Sequence, residues 1–396
     1  MNFIKNILDA SWYRTSVTSL GAVVGSAFTL LILVVATRQN QIIEIGAYNA
    51  GASIAAIIAV LAAGGTTVIL ATGATHVELA VRYVRHRLIT PSLILLGAGS
   101  GLVFNHFVEL PLAPILYGIA AVVLTNLAEL ETSMLEKNLQ THKVLWALFS
   151  SKSIGLILML LGFSFAKVMA VSALIFFFVS YLSARPYWAK GPSPTGMREA
   201  ASLVYQWPMI GLTLSDALYA RVLYVAAPMI LSPALAGAFA TILSLLQASS
   251  AIITKGLYTL MAVRSKRDEE RWMRFFELGT LGFAVVFWAV TLVGGRLFLQ
   301  ILEIDMPVAH HIWVIVFTAL PAIVVIEKTK YKILSLGGSR KAFIIVLVMA
   351  FITVLMAIVG VVFQTREWLW WAPTIGALSG ILTILATREK FKGVKN

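Results

Sequence analysis

Residues 46–70 have the sequence GAYNAGASIAAIIAVLAAGGTTVIL, which holds no charged side chain over 25 positions. About 20 consecutive apolar residues are enough for a helix to cross the hydrocarbon core of a bilayer. Small residues recur along the stretch, and such residues let neighbouring helices in a membrane approach closely. The stretch therefore predicts a membrane-spanning helix that packs tightly against other helices.

The whole chain has the same apolar character. Of its 396 residues, 59% are hydrophobic and 12% are charged, and the mean hydropathy is +0.88. A soluble domain carries about 25% charged residues. The polar stretches between the apolar runs are all short, which leaves no room for a large water-soluble domain. We therefore predict an all-α membrane protein.

Eleven further apolar runs resemble residues 46–70 in length, so we predict about twelve transmembrane helices. The predicted spans are 16–37, 46–72, 88–107, 111–134, 144–163, 166–184, 205–230, 236–262, 274–299, 308–328, 341–363 and 368–387. The first run is too long for the apolar core of a cleaved signal peptide, so we interpret it as a retained span.

The basic residues predict the orientation of these spans. With both termini on one side, 24 of the 31 Lys and Arg residues fall in segments on that side and only 4 on the other. Lys and Arg are enriched in short cytoplasmic loops. This distribution predicts cytoplasmic termini, and it explains the net charge of +13 without a nucleic-acid partner.

No sequence pattern predicts catalysis, a metal or a cofactor. Cysteine is absent, which excludes disulfides and thiolate metal sites. We find no Gly-rich phosphate loop, no Ser/His/Asp arrangement and no zinc-ligand spacing. Most outer loops have about ten residues or fewer, which leaves little from which a membrane enzyme could build a site. We therefore favour a transporter over an enzyme or a passive scaffold.

The chain contains an internal repeat with an offset of 191 residues. Gly46 and Ser53 of the second span correspond to Gly237 and Ser244 of the eighth. The offset also relates the starts of spans one and seven. We predict two parallel six-helix repeats, 1–200 and 201–396, around a central cavity, where transporters commonly bind substrate.

Four charged residues inside the spans are the candidate substrate-binding residues: Lys152, Asp216, Arg221 and Lys255. A charge in the bilayer costs several kcal/mol and usually faces the bundle interior or a watery cavity. Because cations outnumber acids, we expect an anionic ligand such as a phosphate or diphosphate. A Lys152–Asp216 ion pair, a paired or outward-snorkelling Arg221 and a snorkelling Lys255 remain alternatives.

Asp216 and Arg221 are five residues apart, which places them about 140° from one another around a helix. They therefore do not share a face, and an ion pair within the helix is not expected. Each side chain should instead meet another helix or water.

Three segments resemble polysaccharide flippases of the Wzx type, in the multidrug/oligosaccharidyl-lipid/polysaccharide (MOP) exporter superfamily. They are residues 46–70, residues 205–262, which include YQWPMIGLTLSDALYARVLYVAAPMILSPALAGAF, and ELETSMLEKNLQTHKV at 129–144. The resemblance implies alternating access for a polyprenyl-(di)phosphate-linked oligosaccharide, moved from the inner to the outer leaflet of a bacterial cell membrane. It also implies that Arg221, Asp216 and Lys152 line the cavity, and it allows partners among other glycan-assembly membrane proteins.

The alternative function is a cation- or proton-coupled multidrug antiporter of the same superfamily. Such antiporters use intramembrane acids, often one in the first span. Residues 16–37 contain no acid and no base. The missing acid disfavours the antiporter. Flippases of the superfamily often carry a basic residue in the same span, so the missing base means that the position of the phosphate site is not predicted from this span.

Overall fold

The computed structural model describes residues 11–63, 82, 84–138, 140–188, 207–263, 270–335 and 339–387. These residues are mostly helical, and no strand occurs among them. The helices are α1 Ser11–Arg38, α2 Ile42–Ala63, α3 Thr90–Phe107, α4 Leu112–Lys137, α5 Thr141–Leu160, α6 Phe165–Ala184, α7 Trp207–Ala226, α8 Pro233–Val263, α9 Glu270–Val293, α10 Gly295–Ile301, α11 Pro307–Phe317, α12 Leu320–Ser335, α13 Ser339–Phe363 and α14 Arg366–Thr387. A helix satisfies its own backbone hydrogen bonds, which a bilayer requires of a spanning segment.

Each predicted span corresponds to one of these helices or to a consecutive pair. Within the described ranges, nine helical segments are long and apolar enough to cross a membrane. A tenth candidate joins Ala284–Val293 of α9 to α10 with a bend of 67°. Helices α11 and α12 together form another of the spans. The prediction of an all-α, multi-pass membrane protein is confirmed.

Four tight turns lie at one end of the bundle, which we call the short-turn end: residues 39–41, 161–164, 302–306 and 364–365. In each turn one residue has a positive φ, namely Asn40, Gly162, Glu303 or Gln364. The next backbone N–H then bonds a carbonyl five residues back, as Gln41 does with Ala36 at 3.0 Å. This hydrogen bonding is the Schellman motif, which ends a helix abruptly.

The buried apolar residues form four clusters. Three of them contain residues between 32 and 188, and the fourth contains residues between 212 and 377. We call α1–α6 the N-terminal half and α7–α14 the C-terminal half. The predicted boundary near residue 200 falls in 189–206, outside the described residues.

The two halves meet through α1 and α2 on one side and α7 and α8 on the other. The contacting pairs are α1 with α8, α2 with α7, and α2 with α8. The 191-residue offset relates α1 to α7 and α2 to α8. Exchanging the related helices turns the α1–α8 contact into the α7–α2 contact, and it leaves the α2–α8 contact unchanged. This pattern is expected when two similar units meet about a twofold axis.

The α2–α8 contact is made by backbone at the repeated glycines. A Cβ atom added at Gly46 would lie 3.0 Å from the Cα atom of Gly237. A Cβ atom added at Gly237 would lie 2.0 Å from the carbonyl oxygen of Ile42. The close approach of the halves near the short-turn end therefore requires glycine at Gly237.

We expect Gly237→Ala to destabilise the fold, because backbone atoms of α2 would have to move away from the new methyl group. Overpacking of this kind costs about 1–3 kcal/mol. Thermal unfolding of the purified protein measures the effect. Gly99→Ala is the matched control, because nothing lies within 4 Å of its added Cβ atom. Equal unfolding midpoints for the two variants would contradict the close contact.

Candidate functional site

A cavity of about 600 Å³ lies between the two halves. Helices α1, α2, α4, α5 and α6 of the N-terminal half line it, together with α7 and α8 of the C-terminal half. Much of the lining carries neutral hydroxyl and amide groups. These residues are Ser26, Thr29, Asn49, Thr125, Asn126, Ser244 and Gln247.

The cavity is sealed towards the short-turn end. Its lining begins at Thr29 on α1 and at Tyr48 on α2, about two turns away from the turn that joins these helices. The intervening Ile32, Leu33 and Ala36 are buried, and the Gly46–Gly237 contact lies at the same level. The cavity extends from there towards the opposite end of the bundle, where Glu129 and Val60 line it.

Two basic side chains line this cavity from different halves. Lys152 belongs to α5, and Arg221 belongs to α7. Neither side chain has an ion pair or a hydrogen bond to any residue in the described part of the chain. Both charges therefore lack a counter-charge from the described protein, which is expensive inside a membrane.

Two tyrosine side chains lie near Arg221. Its guanidinium group lies close enough to Tyr48 of α2 and Tyr224 of α7 for electrostatic interaction with both phenols. The Tyr224 hydroxyl is 3.1 Å from the hydroxyl of Ser244, another cavity residue. A ligand at Arg221 would thus find one cation and several neutral hydrogen-bonding groups from both halves.

The acid of the cavity, Glu129, has a basic neighbour. Arg85, in a π-helical turn before α3, interacts electrostatically with Glu129. Arg85 also donates to Asn126, at 2.8 Å from its backbone oxygen and through a contact with its side-chain oxygen. Burial lowers the pKa of Arg85 to about 10, and Glu129 partly opposes the change, so Arg85 stays charged at neutral pH. The described groups at and beside the cavity are therefore three cations, Lys152, Arg221 and Arg85, and one acid, so positive charge is in excess.

The structure separates Asp216 from the other predicted site residues. Its carboxylate pairs with Lys330 of α12, with oxygen–nitrogen distances of 3.0 and 3.2 Å. Lys330 also contacts Glu327 at 2.7 Å and is only 6% exposed. Asp216 lines a separate cavity of about 230 Å³ within the C-terminal half. The alternative of a Lys152–Asp216 pair is therefore not found, because Asp216 pairs with Lys330 while Lys152 lines the central cavity.

The fourth predicted residue, Lys255, belongs to α8, but its side chain lies outside the described part of the structure.

Sequence reasoning missed Lys330, which we assigned to a cytoplasmic connection. The Glu327–Lys330 spacing of three residues, which brings the two side chains together on a helix, was the available signal. The sequence also did not identify Tyr48, Asn49 and Gln247 as cavity residues, because neutral polar residues are common in membrane helices.

The sequence matches no protein-family model and no curated protein sequence. Solved structures share its fold. An inward-facing multidrug resistance MATE family transporter of the MOP superfamily has a TM-score of 0.64 and 13% identity, with 98% of this chain and 99% of that one covered. The lipid II flippase MurJ, in an inward closed conformation, has a TM-score of 0.63 and 11% identity, with 98% of this chain and 87% of that one covered.

A third structure is a MOP superfamily transporter from Pyrococcus furiosus, described as having a binding pocket of reverse polarity that suggests a different function. Its TM-score is 0.54 at 12% identity, with 98% of this chain and 97% of that one covered. The chain therefore has the fold of these MOP superfamily transporters and of the flippase MurJ.

We expect Lys330→Met to lower the free energy of unfolding by about 1–2 kcal/mol, because two partly exposed carboxylates lose a buried partner. Lys330→Met/Asp216→Asn should recover part of the loss, since one of the abandoned charges is removed. Chemical denaturation in detergent micelles measures both variants. Lys167→Met, at an exposed lysine of α6, is the control. A Lys330→Met protein as stable as this control would contradict the buried ion pair.

Proposed function

We propose that this protein is a flippase that moves a polyprenyl-(di)phosphate-linked oligosaccharide from the inner to the outer leaflet, as its resemblance to Wzx-type flippases implies. The observation that carries the proposal is the presence of Lys152 and Arg221 in one cavity, neither of them in an ion pair with a described residue. A phosphate or diphosphate would supply the missing negative charge. Charge-assisted hydrogen bonds from lysine and arginine to phosphate are about twice as strong as neutral ones.

The neutral lining of the cavity suits the glycan part of such a substrate. Sugar hydroxyls both donate and accept hydrogen bonds, and so do the hydroxyl and amide side chains of serine, threonine, asparagine and glutamine. Asn49 and Thr29 come from the N-terminal half, while Ser244 and Gln247 come from the C-terminal half. A bound headgroup would therefore touch both halves at once.

The structures with the same fold support this class of substrate. One of them is a lipid II flippase, and another has a binding pocket of reverse polarity that suggests a different function. The fold thus occurs in proteins with different substrates, and the polarity of the binding pocket distinguishes one of them. In the present chain the unbalanced charges of the cavity are positive.

We further propose alternating access by rocking of residues 1–200 against residues 201–396. The sealed short-turn end would face the outside, and the termini would lie in the cytoplasm of a bacterium, as the basic residues predict. Opening of this end would require separation of α2 and α8 at Gly46 and Gly237. A substrate held by Lys152 on one half and Arg221 on the other would be released as the halves part.

The antiporter alternative depends on an acid that can exchange a coupling cation or proton with the cavity. Asp216 is the acid among the four candidate residues, but it pairs with Lys330 and does not line the central cavity. This pairing favours the flippase. Drug efflux that is lost in Asp216→Asn, while glycan movement is absent, would favour the antiporter instead.

We expect Arg221→Ala and Lys152→Ala each to slow glycan flipping at least tenfold. A hydrogen bond to a charged group contributes about 1.5–3 kcal/mol, and 1.4 kcal/mol corresponds to a factor of ten. The measurement is the accessibility of a labelled polyprenyl-diphosphate glycan to an impermeant reagent, in proteoliposomes that contain the purified protein.

Lys167→Ala and Arg366→Ala serve as controls, because each removes one exposed cation that does not line the cavity. Both controls should flip the glycan at the wild-type rate. Wild-type rates in both cavity variants would instead overturn the proposal that these cations bind the phosphate.

A further inference from the structure

Arg38, the last residue of α1, contacts the other half of the protein at the short-turn end. Its Nε atom donates a hydrogen bond to the backbone oxygen of Ile301, the last residue of α10, at 3.1 Å. The same Nε atom is 3.8 Å from a carboxylate oxygen of Glu303. The contact therefore bridges the N-terminal and C-terminal halves on the sealed side of the cavity.

The Ile301 carbonyl is available because of the way in which α10 ends. The carbonyls of Phe298, Leu299 and Gln300 accept hydrogen bonds from the backbone N–H groups of Leu302, Ile304 and Glu303, respectively. These bonds leave the Ile301 carbonyl without a backbone partner, as helix termini do for their last carbonyls. A guanidinium group at this position also interacts favourably with the negative end of the helix dipole.

Glu303 occupies a position where glycine is the usual residue. Its φ of 53° is left-handed, and it follows α10 at the site that a Schellman motif normally gives to glycine. A side chain with a Cβ atom is strained in this conformation. The turn places a carboxylate oxygen of Glu303 3.8 Å from the Nε atom of Arg38.

We propose that Arg38, Ile301 and Glu303 form a latch that holds the short-turn end shut and releases it when the halves part. The latch rests on the alternating access of the proposed function. The side chains of Arg38 and Glu303 are 55% and 57% exposed, so water can replace each contact as it breaks. Such contacts are weak and reversible, as a gate that opens in every transport cycle requires.

The absence of cysteine allows a direct test by single-cysteine labelling. Ala248→Cys places a reporter thiol in the cavity lining, on α8. An impermeant maleimide is added to oriented vesicles from the side of the short-turn end. Phe163→Cys, an exposed position in one of the short turns, verifies the orientation of the vesicles.

In the Ala248→Cys background, we expect Arg38→Ala to raise the rate of labelling about fivefold. Glu303→Gly should raise the rate less, because it removes the carboxylate, keeps the turn and leaves the Arg38–Ile301 hydrogen bond. Arg366→Ala removes another exposed cation near the same end, so labelling should stay unchanged in this control. Unchanged labelling in both Arg38→Ala and Glu303→Gly would overturn the latch.

The labelling experiment needs no substrate, so it separates the latch from the identity of the cargo. Faster labelling of the Arg38→Ala protein together with no flipping of the labelled glycan by the wild-type protein would support the latch and contradict the proposed substrate. Normal flipping together with unchanged labelling in both variants would support the flippase and contradict the latch. Thermal unfolding of each variant identifies any rate change that comes from loss of the fold.

Discussion

Two cations, Lys152 and Arg221, lie inside the helix bundle without an ion-pair partner among the described residues, and this constrains the chemistry of the cavity. Transfer of a charge from water into a membrane is costly, and proteins usually recover the cost by pairing the charge or exposing it to water. Lys152 and Arg221 have no protein partner in the described residues, and a cavity between the two halves separates them from the lipid. The cavity must therefore admit water or an anion, and this requirement links the electrostatics of the site to transport.

The contact between the halves creates the cavity, and the ionic partners of nearby acids explain why its excess charge is positive. Close backbone contact at Gly46 and Gly237 joins the halves near the short-turn end, and the facing helices leave a cavity beyond this contact. Glu129 has Arg85 as a basic neighbour, and Asp216 has Lys330. The two acids that could have balanced the cavity are thus engaged by other cations, which leaves the positive charges of Lys152 and Arg221 available for a ligand.

Sequence reasoning succeeded where the signal was local. Long apolar runs identified the helices, and the charges of Lys152 and Arg221 stood out because the residues around them are apolar. It failed where burial depends on a distant partner. Lys330 follows Glu327 and Lys328 in a polar stretch, so hydropathy places it outside the membrane, whereas the tertiary pairing with Asp216 buries it. Similarly, Arg85 lies among basic residues, yet it is buried against Asn126.

A structure of the purified protein bound to a polyprenyl-diphosphate-linked glycan would test the central claim most directly. The account predicts that phosphate oxygens lie about 3 Å from Lys152 Nζ or from the guanidinium nitrogens of Arg221, as in charge-assisted hydrogen bonds. A bound glycan whose phosphates contact neither residue, with Lys152 and Arg221 paired to protein carboxylates, would contradict it.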